Sequence, residues 1–396
     1  MAKNMVIIVK TMSGLEEILA NELQELGLND VEIHNRSVSC VGTEKQLYEI
    51  NYYCRTALRV LKQIKHFECH NKYDLYDGMK SIDWSKYITN EGSFAIDSTS
   101  NQSAFDNTMF ISVQAKDAIA DQFREKTGKR PNVEREFPDV RINIHVFRDE
   151  CNVCLDSSAD SLHKRGYRVD IGEAPIKEVL AAGLVLLSGW DKKSPFIDGM
   201  CGSGTIAIEA AMIARNVPAG YFRREFGFER WIDFKRELWE EIILHKEKNI
   251  KKECPVIIGI EKSRKVVQAA YENVKESQMR DYVKIYNEDF FEYTPPESPG
   301  MVILNPPYGE RLENEDETEL FELYKSIGTT FKHKYGGYTG WIITSNMEAS
   351  KHVGLRPSRK IKLFNGALES KFFKYEMYSG SKKAKKNGGE NTIKTN

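Results

Sequence analysis

Asn305-Pro306-Pro307-Tyr308 follows the apolar run Met301–Leu304 and ends it abruptly. Two consecutive prolines lack the N–H groups that a strand ladder needs. The tip therefore presents an amide side chain, a backbone carbonyl and an aromatic ring. Those groups suit an amine nucleophile. The exocyclic amine of a nucleobase reacts poorly because its lone pair is delocalised into the ring. The Asn305 side-chain oxygen and the Pro306 carbonyl can hold its two hydrogens and aim the lone pair at an electrophilic methyl, and the prolines set that geometry in advance. Tyr308 can stack on an extruded base. The plain alternative is a strand cap with a structural tyrosine.

A second stretch, FIDGMCGSGT, lies where an apolar run turns into a helix. Asp198 ends the strand, Gly202 and Gly204 allow close backbone approach, and Thr205 starts the helix, with Cys201 and Ser203 between them. A lone G-x-G is equally a tight turn. Three features point further. An acid at the strand end repels a pyrophosphate but suits an ammonium group. The next apolar run ends in Glu261-Lys262, where the acid can accept from ribose hydroxyls. The run after it ends in Asp289-Phe290, an acceptor for an adenine amino group and a ring to pack on it. Ammonium, ribose and adenine together describe S-adenosylmethionine. No Walker lysine follows the glycines, which argues against a nucleoside triphosphate.

These residues need a parallel sheet whose ligands lie outside the carboxyl ends of its strands. From about residue 165 apolar runs alternate with helical patterns, as a doubly wound α/β domain requires. The runs within KIKLFNGALESKFFKYEMYSG have no helix between them and must form an antiparallel terminal hairpin. Residues 1–55 read as a small α+β unit, with Ser13 capping a helix that Gly27 stops. Residues 56–160 mix strands and helices, 165–382 form the α/β domain, and 383–396 form a mobile polar tail. Between the glycine loop and Glu261 the chain is far longer than the roughly 20 residues of a dinucleotide fold. The excess interleaves Tyr221, Phe222, Phe226, Phe228 and Trp231 with Arg223, Arg224 and Arg230. It is either an extra helical layer with its own core or a lip over an RNA substrate.

With 396 residues, 57 Lys+Arg and 58 Asp+Glu, the chain has no global basic field, so nucleic-acid contacts must be local. No apolar stretch is long enough for a membrane span, and MAKNMVIIVKT reads as a first strand rather than a signal peptide. Seven cysteines suit a reducing cytosol. Cys151 and Cys154 lack the second pair that a zinc site needs, and the histidines have no ligand spacing, so no metal is expected.

The motif D-x-x-C-G-S-G-T at 198–205, with NPPYGERL at 305–312 and LHKRGYR at 162–168, resembles the THUMP-domain RNA guanine-N2 methyltransferases. Within that family it resembles the bacterial large-subunit rRNA enzymes of the RlmL type, with a single methyltransferase module. RTALRVLKQIKHF and QAKDAIADQFREKTGKRPNV look like THUMP segments. The resemblance implies a ferredoxin-like segment, a THUMP RNA-binding domain and a Rossmann-like class I methyltransferase domain. It also implies a donor site of Asp198, Gly202, Gly204, Glu261, Asp289 and Asn305, and a cytoplasmic enzyme that processes rRNA. Arg55, Arg59, Lys129, Arg130, His163, Lys164, Arg165 and Arg311 are the expected RNA contacts. Pro175 and Lys177 belong, with His163, Lys164 and Arg165, to the segment preceding the glycine loop, whose open alternatives to an RNA phosphate contact are closure over the donor and a structural linker that packs the two domains. The family usually has proline where this chain has Gly199, so a looser turn is expected there. A transfer-RNA substrate, an inactive RNA-binding ribosome assembly factor and a protein-glutamine methyltransferase are the competing readings. Intact Asp198, Asn305 and Tyr308 argue against the second, and the THUMP-like segments against the third.

Overall fold

The computed structural model describes residues 4–169, 176–297, 299–309 and 317–378. Pro175, Arg311 and the 383–396 tail lie outside them. The chain forms two compact units: the described residues up to Gly166 join Pro218–Asn249, and Tyr167–Val217 join those from Ile250 onward.

In the first unit, strands β1 (Met5–Lys10), β2 (Asn29–His34), β3 (Ser37–Gly42), β4 (Arg59–Glu68), β5 (Ser93–Asn101), β6 (Asn132–Val133), β7 (Val140–Phe147) and β8 (Glu150–Asp156) form one sheet, ordered β2-β3-β1-β4-β8-β7-β5-β6. Helices α1 (Glu16–Glu25), α2 (Glu44–Tyr53), α3 (Lys72–Lys80) and α4 (Thr108–Thr127) accompany it. β4 pairs with β1 on one side and β8 on the other, so the ferredoxin-like and THUMP-like segments share one continuous sheet. α1 begins at Glu16 rather than after Ser13, and no side chain caps it; Glu16 instead accepts from the Gly14 and Arg36 N–H groups. Gly27 ends that helix with φ of 76°, where glycine costs least. Cys151 and Cys154 are buried residues of β8.

The second unit contains α5 (Glu178–Leu187), β9 (Phe196–Asp198) and α6 (Thr205–Ala214). The chain then leaves it for the segment holding α7 (Arg236–Glu247), and returns for β10 (Ile257–Ile260), α8 (Arg264–Glu276), β11 (Val283–Tyr286), β12 (Met301–Leu304), α9 (Glu317–Lys334), β13 (Thr339–Thr344), α10 (Met347–Lys351), β14 (Arg359–Asn365) and β15 (Leu368–Glu376). The sheet order is β11-β10-β9-β12-β13-β15-β14. Its first five strands are parallel, and β15 runs antiparallel to both β13 and β14. The terminal hairpin expected from the sequence is therefore present. β9, β10 and β12 are buried along their whole length, as a sheet covered on both faces demands.

Residues 218–249 have no core of their own. Phe226, Phe228, Trp231 and Trp239 join the first unit's core, where Phe228 stacks on Tyr48 at 4.2 Å and Trp239 meets Tyr52 edge-on at 5.3 Å. Such pairs add about 0.5–1.5 kcal/mol beyond the area they bury. Gly227 allows close passage, since a Cβ there would lie 2.8 Å from the Ala159 nitrogen. Among the described residues no helix is long and apolar enough to cross a membrane.

Candidate active site

β9 lies between β10 and β12, and its last residue, Asp198, is paired in register with Gly259 and Ile303. Asp198 is fully buried. Its Oδ2 accepts from the Ala207 N–H at 3.2 Å, and its Oδ1 has no partner. Burial, then the nearby Glu261 charge, pushes its carboxyl up to about 8. A buried acceptor left unmade costs about 1–3 kcal/mol, so this oxygen is a standing place for a donor, above all a cation.

The glycine loop stays open around it. Gly202 and Gly204 have φ of 54° and 81°, and open space lies where a Gly202 Cβ would be. Glu261 is fixed at the end of β10: its Oε2 accepts from the Gly202 N–H at 3.1 Å and its Oε1 from the Ser263 N–H at 2.7 Å. Asn287 donates to the Glu261 and Lys262 carbonyls at 2.9 and 3.1 Å and ties that strand end to the next. Asp289 is half-buried and accepts from the Phe291 N–H at 2.9 Å through one oxygen.

Two expectations are corrected on this side. Phe290 was expected to pack on a ligand ring, but it is only 2% exposed and stacks on Tyr335 at 5.3 Å. Its face is spent on the core. Gly199 was expected to loosen its turn. Instead it is tightly enclosed, since a Cβ there would lie 2.4 Å from Leu304 Cδ2 and 2.7 Å from Phe290 Cδ2. Its N–H also donates to the Ile303 carbonyl at 3.1 Å, a bond that proline cannot make.

Sequence reasoning missed Arg168, Glu178 and Asn273. From LHKRGYR it took the first three cations, whereas Arg168 is the one that meets the glycine loop. Its guanidinium donates to Thr205 Oγ1 at 3.0 Å, Ser203 Oγ at 3.4 Å, the Ile176 carbonyl at 3.1 Å and Glu178 Oε1 at 2.8 Å. Asn273, on α8 and 1% exposed, donates to the Ser203 carbonyl and accepts from the Val169 N–H, both at 3.1 Å. Both partners are remote in sequence, and only the fold joins them to the loop.

On the neighbouring strand, β12 ends at Leu304 and Asn305 follows. Tyr308 donates its hydroxyl to Asn305 Oδ1. Asn365, at the end of β14, donates to the Tyr308 hydroxyl at 3.4 Å, and Asn346 donates to the Tyr308 carbonyl at 3.2 Å. Tyr324 donates to the Pro307 carbonyl at 3.3 Å. Pro306 is buried between Asn305 and Tyr308, which are both half-buried. The tip is thus held from three directions, and its amide oxygen already has a partner.

The expected RNA contacts divide. Arg165 is 1% exposed and donates to the Leu162 and Arg55 carbonyls; Arg55 itself is 9% exposed. Both are spent inside the first unit and present no surface to a polyanion, which corrects that assignment. Arg59 is ion-paired with Asp156 and half-buried. His163 is half-buried beside Ser161, and Lys164 is exposed and paired with Asp160 at 3.1 Å. Lys129 and Arg130 are exposed at the end of α4.

Residues 165–373 match the RMKL-like methyltransferase domain, 69–156 the THUMP domain, and 6–61 the RlmL ferredoxin-like domain. The chain is 35% identical over 366 residues to "Putative RNA methyltransferase slr0064" of Synechocystis sp., covering 92% of this chain and 95% of that protein. It is 35% identical over 371 residues to "Ribosomal RNA large subunit methyltransferase K/L" of Methylococcus capsulatus, covering 92% of this chain and 50% of that one. The chain therefore spans about half the length of the K/L proteins it matches. The crystal structure of SMU.472 complexed with SAH superposes with a TM-score of 0.86 at 28% identity, covering 96% of this chain and all of that one.

Proposed function

The chain belongs to the family of RMKL-like methyltransferase domains, and we propose that it moves the methyl group of S-adenosylmethionine to the exocyclic N2 amine of a guanine in structured RNA, with 23S ribosomal RNA as substrate. The observation that carries this reading is a register. Asp198 ends β9 opposite Ile303 of β12, so Asn305 lies just beyond the carboxyl end of the adjacent parallel strand. A donor site and an acceptor site at neighbouring strand ends are what a methyl transfer needs.

The donor's parts fit the residues present. The unpartnered Asp198 Oδ1 suits its ammonium group. The open backbone at Gly202 suits close approach, Glu261 suits the ribose hydroxyls, and Asp289 keeps an oxygen for an adenine amino group. When bound, the donor supplies a methyl carbon made electrophilic by a positive sulfur.

The chain's own residues act on the acceptor. Asn305 Oδ1 and the Pro306 carbonyl accept the two N–H bonds of the amine and hold its lone pair in line. The amine becomes acidic once methylated and sheds its proton afterwards, so no general base of shifted pKa is required. Tyr308 must give up its bond to Asn305 to admit the base, and is then free to stack on it. Lys129 and Arg130 supply phosphate contacts, whose strength falls steeply with salt. The names of the K/L relatives favour ribosomal RNA.

Deleting the gene, digesting each RNA class and quantifying N2-methylguanosine tests the reading. Loss from large-subunit RNA, restored by the parent gene but not by Asn305→Ala, is expected. Loss from transfer RNA would move the substrate, and unchanged N2-methylguanosine in every class would overturn the assignment.

A further inference from the structure

We propose that Asn365 is a positioning residue for the acceptor base: it receives the Tyr308 hydroxyl when the incoming amine takes that hydroxyl's place on Asn305. The proposal rests on the acceptor site put forward above. Tyr308 donates its hydroxyl proton to Asn305 Oδ1. The amine of the base needs that same oxygen. A hydroxyl has one proton to give and two lone pairs, so the displaced proton must find another acceptor. A half-buried donor left without one resists the exchange.

Asn365 ends β14, where the antiparallel register sets it opposite Leu368 at the hairpin turn. Its side chain is half-buried, and its Nδ2 donates to the Tyr308 hydroxyl at 3.4 Å. Among the described residues its Oδ1 makes no hydrogen bond. The other groups that hold the tip are committed to its backbone. Asn346 Oδ1 accepts from the Ala349 N–H at 2.9 Å, and its Nδ2 donates to the Tyr308 carbonyl at 3.2 Å. The Tyr324 hydroxyl is bonded to Thr344 Oγ1 at 2.6 Å and donates to the Pro307 carbonyl at 3.3 Å. Asn365 instead reaches the hydroxyl itself, and its amide carries a donor and an acceptor on one carbon. The torsion that exchanges the two is broad and roughly two-fold. After a half-turn the hydroxyl oxygen, now 3.4 Å from the amide, needs to approach by less than about 1 Å to make a good O–H···O bond. One amide thus serves Tyr308 in both states: as donor while the tyrosine occupies Asn305, and as acceptor once the base is in place.

A purely structural role at the hairpin turn is the competing reading, and a double-mutant cycle separates the two. Each variant of the full chain is assayed on large-subunit RNA from a strain that lacks the gene, with S-adenosylmethionine as donor and kcat/KM for N2-methylguanosine as the readout. Asn365→Leu offers no acceptor and should lower kcat/KM by roughly three- to tenfold, the worth of one hydrogen bond. Asn365→Asp keeps an acceptor and gives up the donor, so it should methylate nearly as well as the parent. In a Tyr308→Phe background no hydroxyl needs a new partner, and Asn365→Leu should then cost nothing further. A loss on Asn365→Leu that is the same with tyrosine and with phenylalanine would make the residue a brace and overturn the proposal. So would an unchanged rate for Asn365→Leu, or an Asn365→Asp variant as slow as Asn365→Leu. Should Asn365→Leu not fold, Asn365→Ala makes the same comparison in both backgrounds. A parent that methylates no guanine N2 in this RNA would overturn the proposed function, and this proposal with it. A parent that does, in which the two substitutions act independently, would overturn this proposal alone.

Discussion

At the end of β9 a carboxylate oxygen is buried without a partner, while just beyond β12, one strand over, the amide oxygen of Asn305 is already bonded to Tyr308. The donor side holds an unmade bond in a rigid frame. The acceptor side satisfies itself and is held by Tyr324, Asn346 and Asn365. Burial explains the contrast. Asp198 is sealed in the sheet, where no rotamer can find water, so its deficit persists until a ligand arrives. Asn305 and Tyr308 are half-exposed, and a polar pair there relaxes onto itself at little cost. On the proposed reading, a small donor meets a site waiting for it, whereas an RNA base must displace a resident contact.

The largest effect should come from the acceptor side. Asn305→Ala removes an acceptor that matters mostly in the transition state. By analogy with one lost oxyanion-hole donor it should slow single-turnover methylation by about 10²–10³, with donor binding less affected. An Asn305→Ala protein as fast as its parent would reduce the strand tip to a cap.

Asp198→Asn should weaken donor binding by about 1–3 kcal/mol, the range for an unmatched charged group. It should also flatten the dependence on pH. In the donor-free protein this carboxyl sits near 8, against about 3.9 in an unfolded chain. Its raised pKa therefore contributes stability that is complete below about 3.9 and lost as pH rises toward 8. A cationic donor binds the ionised form, so donor affinity should climb as pH rises toward 8, with proton release visible as a buffer-dependent calorimetric heat. A parent with no such slope would remove the reserve assigned to the donor side.

Gly199→Ala tests the frame between the two sides. The added methyl must push Leu304 or Phe290 aside, and overpacking of this kind costs about 1–3 kcal/mol of stability. A chemical-denaturation midpoint equal to the parent's would mean that the strand ends are softer than they look. The smallest effect should be that of Tyr308→Phe, which removes the resident donor from Asn305 but keeps the ring. Its methylation rate should stay within roughly fivefold of the parent, the worth of one ordinary hydrogen bond. A loss as large as that of Asn305→Ala would show that the hydroxyl itself is needed.

Much of this was legible in the chain alone, because strand ends announce themselves. Proline pairs, glycines and acids after apolar runs mark where a parallel sheet places its ligands, and the missing helix near the end required a hairpin. Other features were hidden. The aromatic and arginine residues of 218–249 read as a lip or a separate layer because nothing local says that Phe228 will stack on Tyr48. Arg55 and Arg165 looked like RNA contacts because charge in sequence carries no depth. In the fold, backbone carbonyls claim the Arg165 guanidinium.

The sequence by itself determined the order of elements, the positions of Asp198, Glu261, Asp289 and Asn305 at strand ends, and the kind of chemistry those side chains suit. These follow from local physics, namely backbone propensity, the period of apolar residues and functional-group chemistry. Tertiary structure alone decided that Phe290 belongs to the core, that Gly199 has no room for a side chain, that Arg168 meets the glycine loop and that Tyr308 occupies the amide of Asn305. Each depends on which distant atoms arrive beside a residue once the sheet is wound, and no local pattern encodes that.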